Sequence, residues 1–163
     1  MNMIFHRTSI RQYTEEVVSE EQVELLMRAA MAAPSACNQQ PWEFYVVSEG
    51  TLREKLAGAT PFTKPAGRAP LVIVPCYREK VAVLPMVTQD MAAATENLLL
   101  EADALGLGAV WMGLAPMTQR MQLVREILSI PEGLQPFCLI AVGHPAEERQ
   151  RQERYDASRV HRL

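Results

Sequence analysis

Between residues 34 and 42 the chain reads Pro34-Ser35-Ala36-Cys37-Asn38-Gln39-Gln40-Pro41-Trp42, which places small polar side chains and a thiol between two prolines. Each proline fixes its own φ and disfavours the helical region for the preceding residue, so a shaped loop is expected. Its backbone N–H groups and side-chain amides would be held at fixed points, which suits the binding of a polar planar ligand. The alternative is a simple connector with solvated Asn and Gln side chains.

A predicted helix and a predicted strand flank this loop. Residues 19–22 form a capping box, and apolar residues then recur at helical spacing, which predicts a helix over residues 20–33. Residues 42–47 are rich in aromatic and β-branched side chains, which is typical of a strand. The loop therefore connects the end of a helix to the start of a strand.

The rest of the chain mixes helix and strand patterns. We predict helices over residues 51–59, 86–105 and 118–128, strands over 71–74, 108–113 and 137–143, and a loop over 61–70. Gly106 is expected to end the long helix, and Thr118 to cap the next one. The long helix has a wide apolar face, with Asp90, Glu96, Glu101 and Asp103 left for its polar side. Such a helix is either central to a monomer or shared with a second subunit, and we favour sharing.

Three polar residues near the N-terminus, Arg7, Ser9 and Arg11, recur at every second position. In an extended conformation they point to one side, while Thr8 and Ile10 point to the other. Guanidinium groups present forked donors that match phosphate, and the hydroxyl adds a short donor. The pattern predicts a cradle for a phosphate monoester, although a solvated surface segment is the alternative reading.

Composition excludes several classes of function. The chain has 163 residues, 48% of them hydrophobic, which predicts a single domain over residues 1–163. A net charge of −3 gives no overall attraction to nucleic acid or to a membrane surface. No secretory signal is expected near the N-terminus. The three cysteines are widely spaced and lack partners at metal-ligand spacing, so we expect reduced thiols, no metal site and a cytoplasmic location.

Familiar catalytic patterns do not occur in the sequence. His6, His144 and His161 have no carboxylate, Ser or Cys partner at a recognisable spacing, which argues against a hydrolytic triad. Gly106, Gly108 and Gly113 do not fit the dinucleotide-binding motif, because the third glycine comes two places late for that spacing. The remaining polar groups suit a cofactor that brings its own reactivity.

Four motifs occur in one order along the chain: R-x-S-x-R, P-S-x-x-N-x-Q-P-W, the run over residues 89–113, and a G-x-P followed by basic residues. Together they resemble the FMN-dependent nitroreductase family. The resemblance implies an α+β fold with a mainly antiparallel sheet flanked by helices, and an intertwined homodimer with FMN at the subunit interface. It also implies ping-pong hydride transfer from NAD(P)H to FMN N5, and then to a nitroaromatic, quinone or similar small-molecule acceptor.

The same resemblance assigns the two ends of the chain to the cofactor phosphate. Arg7 and Ser9 match residues that contact the phosphate, and Arg154 matches a C-terminal basic residue that completes the site, with Arg151 as the reserve. Arg11 matches a basic residue near the N1 and C2 carbonyl edge of the flavin, where positive charge stabilises the reduced form. The C-terminal arm over residues 144–163 would then be held in place.

The resemblance assigns the flavin ring to two other segments. Ser35 and Asn38, with Gln40, match a loop that reaches the flavin from the other subunit. The segment that lies along the ring comprises Trp111, Met112, Gly113 and Leu114. None of these residues needs to exchange a proton, so no catalytic side chain is assigned.

The chain departs from longer members of that family in two excursions, which are reduced here to residues 60–68 and 77–85. A shallow, open site is therefore expected, with the preferred nicotinamide and acceptor left undefined. The alternatives are a non-catalytic FMN-binding or sensory protein, a flavin-consuming or dehalogenating enzyme of the same fold, and a purely structural dimer.

Overall fold

A computed structural model describes residues 3–150 and 153–163. Within them, five strands form one antiparallel sheet in the order β1-β2-β5-β3, with β4 paired to β2. The strands are β1 Trp42–Val47, β2 Leu71–Arg78, β3 Gly108–Gly113, β4 Leu134–Pro136 and β5 Cys138–Gly143. The expected mainly antiparallel sheet is confirmed.

Helices cover both faces of this sheet. They are α1 Met3–His6, α2 Glu20–Met31, α3 Gly50–Gly58, α4 Pro65–Arg68, α5 Val87–Ala104 and α6 Thr118–Leu128. Alternation along β2 separates two cores: Leu71 and Ile73 pack with α2 and α5, whereas Val72 and Val74 pack with α3, α4 and α6. The period of two along the strand therefore assigns its side chains to opposite helical layers.

Helix α2 begins at the predicted capping box. The N–H of Gln22 donates to Ser19 Oγ at 3.2 Å, and the N–H of Ser19 donates to Gln22 Oε1 at 2.9 Å. These two bonds satisfy backbone donors that the first turn leaves free. At its other end α2 stops at Met31, shortly before the loop between the two prolines.

Helix α5 packs against α2 and the sheet within one chain. Its buried residues are Val87, Asp90, Met91, Ala94, Thr95, Leu98, Leu99 and Ala102. Most of the wide apolar face is therefore used inside the chain, as a central helix requires. We still predict that the half-buried part of the apolar face of α5 packs against a second subunit.

Two local predictions were wrong, and one short strand was not predicted. The strand predicted over residues 137–143 is β5, which begins one residue later, whereas β4, which precedes it and pairs with β2, was missed. Met117, rather than Thr118, holds the N-cap position of α6, and its side chain makes no capping bond. Helix α4 lies inside the segment predicted as loop.

The cysteines differ in their accessibility. Cys76 and Cys138 are fully buried, whereas Cys37 is exposed in the loop between the prolines. Burial raises the pKa of the Cys76 thiol to about 12 and also raises that of Cys138. None of the helices in the described residues is long and apolar enough to cross a bilayer.

Candidate functional site

The two ends of the chain meet at a cleft of about 880 Å³. The residues that line it are Ile4, Phe5, Arg7, Thr8, Ser9, Arg11, Arg149, Gln150, Glu153, Arg154 and Tyr155. Among these described lining residues are four arginines and one acidic residue, Glu153. Arg7, Ser9, Arg11 and Arg154 all line this cleft, which agrees with the family resemblance, while Arg151 lies outside the described residues.

The N-terminal segment lies along the edge of the sheet beyond β3. Ser9 forms a parallel bridge with Ala109, and the N–H of Ile10 donates to Ala109 O at 3.0 Å. Ile10 is buried against Gly108, and its neighbours therefore turn toward the cleft. The predicted alternation is confirmed except at Thr8, which also lines the cleft.

Two carboxylates of α5 hold the start of this segment. Arg7 Nε lies 3.2 Å from Glu96 Oε1, and His6 Nδ1 lies 2.8 Å from Asp103 Oδ1. His144 Nε2 similarly lies 3.4 Å from Glu16 Oε1. No sequence spacing indicated these carboxylate partners, because the fold brings the partner of His6 from 97 residues away.

The C-terminal arm begins as a short antiparallel partner of the N-terminal segment. The N–H of Thr14 donates to His144 O at 2.9 Å, and the N–H of Ala146 donates to Gln12 O at 3.0 Å. Residues 153–163 are exposed. The arm is therefore held at its start, close to the arginines of the cleft.

The loop between the prolines has an unusual backbone. Positive φ values occur at Cys37 (50°), Asn38 (53°) and Gln40 (44°). Residues other than glycine rarely adopt this backbone conformation. Ser35 Oγ accepts the N–H of Gln40 at 3.0 Å and closes the loop. A shaped loop is confirmed, and residues held in this way cluster at functional sites.

A buried carboxylate, Asp90, holds the loop on α5. Its Oδ1 accepts the N–H of Ala36 at 2.9 Å, and its Oδ2 accepts Gln39 Nε2 at 2.6 Å. Gln39 Oε1 in turn accepts the N–H of Val83 at 2.8 Å. Sequence reasoning placed Asp90 on the polar side of the helix and missed this role, although it lies on the i, i+4 row of the buried Ala94 and Leu98.

The segment over residues 111–114 presents little side-chain surface. Met112 and Leu114 are buried in the core, and Trp111 packs against Phe137 with ring centroids 5.7 Å apart. The N–H of Leu114 donates to Phe137 O at 3.3 Å. Gly113 is exposed and Trp111 half-buried, so these two residues are the accessible part of the predicted ring-binding segment.

Within one chain these segments do not share the cleft. None of its described lining residues comes from residues 34–42 or 111–114. Ser35, Asn38 and Gln40 thus do not line the cleft beside its arginines. Across residues 3–150 and 153–163, no group of three His, Cys, Asp or Glu side chains could hold a metal ion.

Comparison with known families agrees with this geometry. A model of the nitroreductase family matches residues 4–82 and 64–144. The chain belongs to the nitroreductase family. Its five-stranded antiparallel sheet between two helical layers is therefore the nitroreductase-like fold that the motifs implied.

Relatives resemble the chain along nearly its whole length. A protein of Archaeoglobus fulgidus, provisionally named NADH dehydrogenase/NAD(P)H nitroreductase, is 40% identical over 167 residues, which cover 99% of this nitroreductase-family chain and 96% of the relative. A crystal structure from Clostridium acetobutylicum, provisionally named NADH oxidase, is 44% identical with a TM-score of 0.95 and covers 98% of each chain. A provisionally named nitroreductase from Desulfovibrio desulfuricans, crystallised with FMN, is 32% identical with a TM-score of 0.85, covering 99% and 94%.

Proposed function

We propose that this nitroreductase-family chain is an FMN-dependent NAD(P)H oxidoreductase. The observation that carries the proposal is the meeting of Arg7, Ser9, Arg11 and Arg154 at one cleft, although they lie at opposite ends of the sequence. The FMN complex of the Desulfovibrio relative and the NAD(P)H in the name of the Archaeoglobus relative support the same function.

The donor set of the cleft fits the phosphate end of FMN. Guanidinium groups bind phosphate oxygens through paired N–H donors, and such charge-assisted bonds are stronger than neutral ones. The Ser9 hydroxyl adds a donor at the edge of β3. Glu96 Oε1 lies 3.2 Å from Nε of Arg7, so this carboxylate contacts the guanidinium on its Nε side.

The chain's own residues would bind and orient the cofactor. FMN, when bound, supplies the redox chemistry by accepting hydride from NAD(P)H at N5 and passing it to a nitroaromatic, quinone or similar acceptor. Arg7, Ser9 and Arg154 would hold the phosphate. Arg11 would supply a fixed positive charge near the N1 and C2 carbonyl edge, where negative charge develops.

A second copy of the chain completes the site in this proposal. Residues 1–163 would act as one FMN-binding domain, with the arm over residues 144–163 wrapped on its partner in an intertwined homodimer. Ser35, Asn38 and Gln40 would then serve the cleft of that partner, which agrees with their absence from the described lining of the cleft in their own chain. Three free cysteines fit a cytoplasmic protein.

The proposal is tested by mixing purified, FMN-loaded protein with NADH or NADPH without oxygen. We expect the visible absorbance of the flavin to bleach within seconds to minutes. Bound FMN that is not bleached would indicate a binding or sensory protein instead. Colourless protein that refuses added FMN would indicate a structural role.

The variant Arg11→Ala tests the role of the positive charge. Flavin bleaching is expected to slow by about 10- to 100-fold, since one donor at a site of developing charge has an effect of this order or larger. Retention of FMN, measured by dialysis and fluorescence, is expected to change by less than about threefold because the phosphate contacts remain. Arg68→Ala, an exposed arginine of α4 outside the cleft, is the control. A larger loss of retention than of bleaching rate would contradict this role for Arg11.

A further inference from the structure

We infer that Glu147 is the positioning residue that orients Arg11 toward the cofactor. The inference rests on the proposed function, since Arg11 is given its role by the bound flavin. It assigns to the start of the C-terminal arm a task separate from phosphate binding. The Glu147 carboxylate binds the backbone of Arg11 and leaves the guanidinium of Arg11 available.

The pairing of the two chain ends places Glu147 opposite Arg11. Tyr13 and Pro145 form an antiparallel bridge, so moving two residues along each segment in opposite directions brings Arg11 beside Glu147. Hydrogen bonds between Thr14 and His144 and between Ala146 and Gln12 hold this register. The contact therefore follows from strand-like pairing and not from a chance approach of two surface side chains.

One carboxylate oxygen binds two successive backbone donors. Glu147 Oε1 accepts the N–H of Arg11 at 2.6 Å and the N–H of Gln12 at 3.2 Å. The guanidinium of Arg11 instead donates to Ser9 O at 3.3 Å. Oppositely charged residues at paired positions usually bind through their side chains. Here Glu147 binds the backbone of Arg11 and does not pair with its guanidinium.

The other carboxylate oxygen binds a second cation of the cleft. Glu147 Oε2 accepts Arg149 Nε at 3.1 Å and lies 3.0 Å from Arg149 Nη2. The Glu147 side chain is only 19% exposed. The bonds from Arg149 and from the Arg11 backbone lower the pKa of Glu147, so it is ionised at neutral pH. Both oxygens are thus engaged in fixing basic residues around one cavity.

Loss of this carboxylate would free the Arg11 backbone without unpairing the arm. Thr14 and Ala146 would still donate their N–H groups across the two segments. The guanidinium of Arg11 would then sample orientations away from the flavin edge. Because the charge favours the reduced flavin, its displacement should weaken binding of reduced FMN more than binding of oxidised FMN.

The test compares Glu147→Ala, Glu147→Gln and the control Glu148→Ala. A glutamine retains a carbonyl oxygen for the two backbone donors but loses the ion pair with Arg149. Glu148 is exposed, and its side chain makes no hydrogen bond or ion pair within the described residues. Dissociation constants for oxidised and reduced FMN are measured anaerobically, with the midpoint potential from spectroelectrochemistry, and thermal melting monitors the fold.

For Glu147→Ala we expect the preference for reduced over oxidised FMN to fall about tenfold, which is about 30 mV for a two-electron couple. Glu147→Gln and Glu148→Ala are expected to show no such fall. Equal weakening of both redox forms in Glu147→Ala, the same fall in Glu147→Gln, or no change in either variant would overturn the inference and leave the proposed function standing. Wild-type protein that binds no FMN would instead overturn the proposed function, and this inference with it.

Discussion

The variant Asp90→Ala is expected to lower the free energy of unfolding by about 2–4 kcal/mol, since it removes two hydrogen bonds to a buried carboxylate. The N–H of Ala36 and the amide of Gln39 would lose their acceptor in a part-buried place. The positive-φ conformation at residues 37, 38 and 40 would lose its anchor on α5. The loop would therefore relax before the rest of the fold.

Thermal melting measures this loss, and a fall of about 5–15 °C is expected for a chain of this size. The melting temperature of Asp90→Asn should lie between those of wild type and Asp90→Ala. The asparagine can still accept the N–H of Ala36, but it points an NH₂ group at the Gln39 amide. Glu101→Ala removes another acidic residue of α5, one whose side chain makes no hydrogen bond in the described structure, and it is the control. Equal melting temperatures for Asp90→Ala and Glu101→Ala would contradict the anchoring role.

The variant Gly108→Ala is expected to move the N-terminal segment away from β3. A methyl group at this position would lie 2.7 Å from Ile10 Cγ2 and 2.8 Å from Ile10 Cβ. Rotation about χ1 does not move Cβ, so the backbone between Ser9 and Arg11 must shift. Overpacking of this kind costs about 1–3 kcal/mol. Since the same backbone carries the phosphate donors, FMN affinity should fall by about tenfold or more.

Isothermal titration with FMN, together with thermal melting, checks both effects. Gly58→Ala is the matched control, because a methyl group there meets no atom within 4 Å and alanine favours helix α3. Its melting temperature should stay level or rise, with unchanged FMN affinity. A Gly108→Ala protein that binds FMN as tightly as wild type would contradict the dependence of FMN binding on the position of Ile10.

Local patterns in the sequence predicted most of the elements. The capping box at Ser19, the aromatic and β-branched run of β1 and the long apolar periodicity of α5 each depend on near neighbours, so their boundaries were found to within about two residues. The positive φ of Gly106 likewise agrees with its predicted place at the end of α5. Periodicity also indicated which residues of the N-terminal segment share a side.

Contacts between distant residues were harder to predict. Asp90 with Gln39, His6 with Asp103 and the pairing of residues 11–14 with 144–147 all join parts of the chain more than 40 residues apart. No spacing rule links such residues, because the fold alone brings them together. The resemblance predicted the meeting of Arg7 and Arg154, but it gave no indication that carboxylates position the arginines.

Within a single chain the accessibility of the thiols gives one handle for chemical labelling, and its neighbours in sequence are the residues that the proposed homodimer would bring to the partner's cleft. Cys76 and Cys138 are buried and protonated at neutral pH, so a maleimide dye would attach at Cys37. That position lies between two prolines on the Asp90-anchored turn. A fluorophore placed there would report changes in its surroundings by emission colour or anisotropy, without any engineered cysteine.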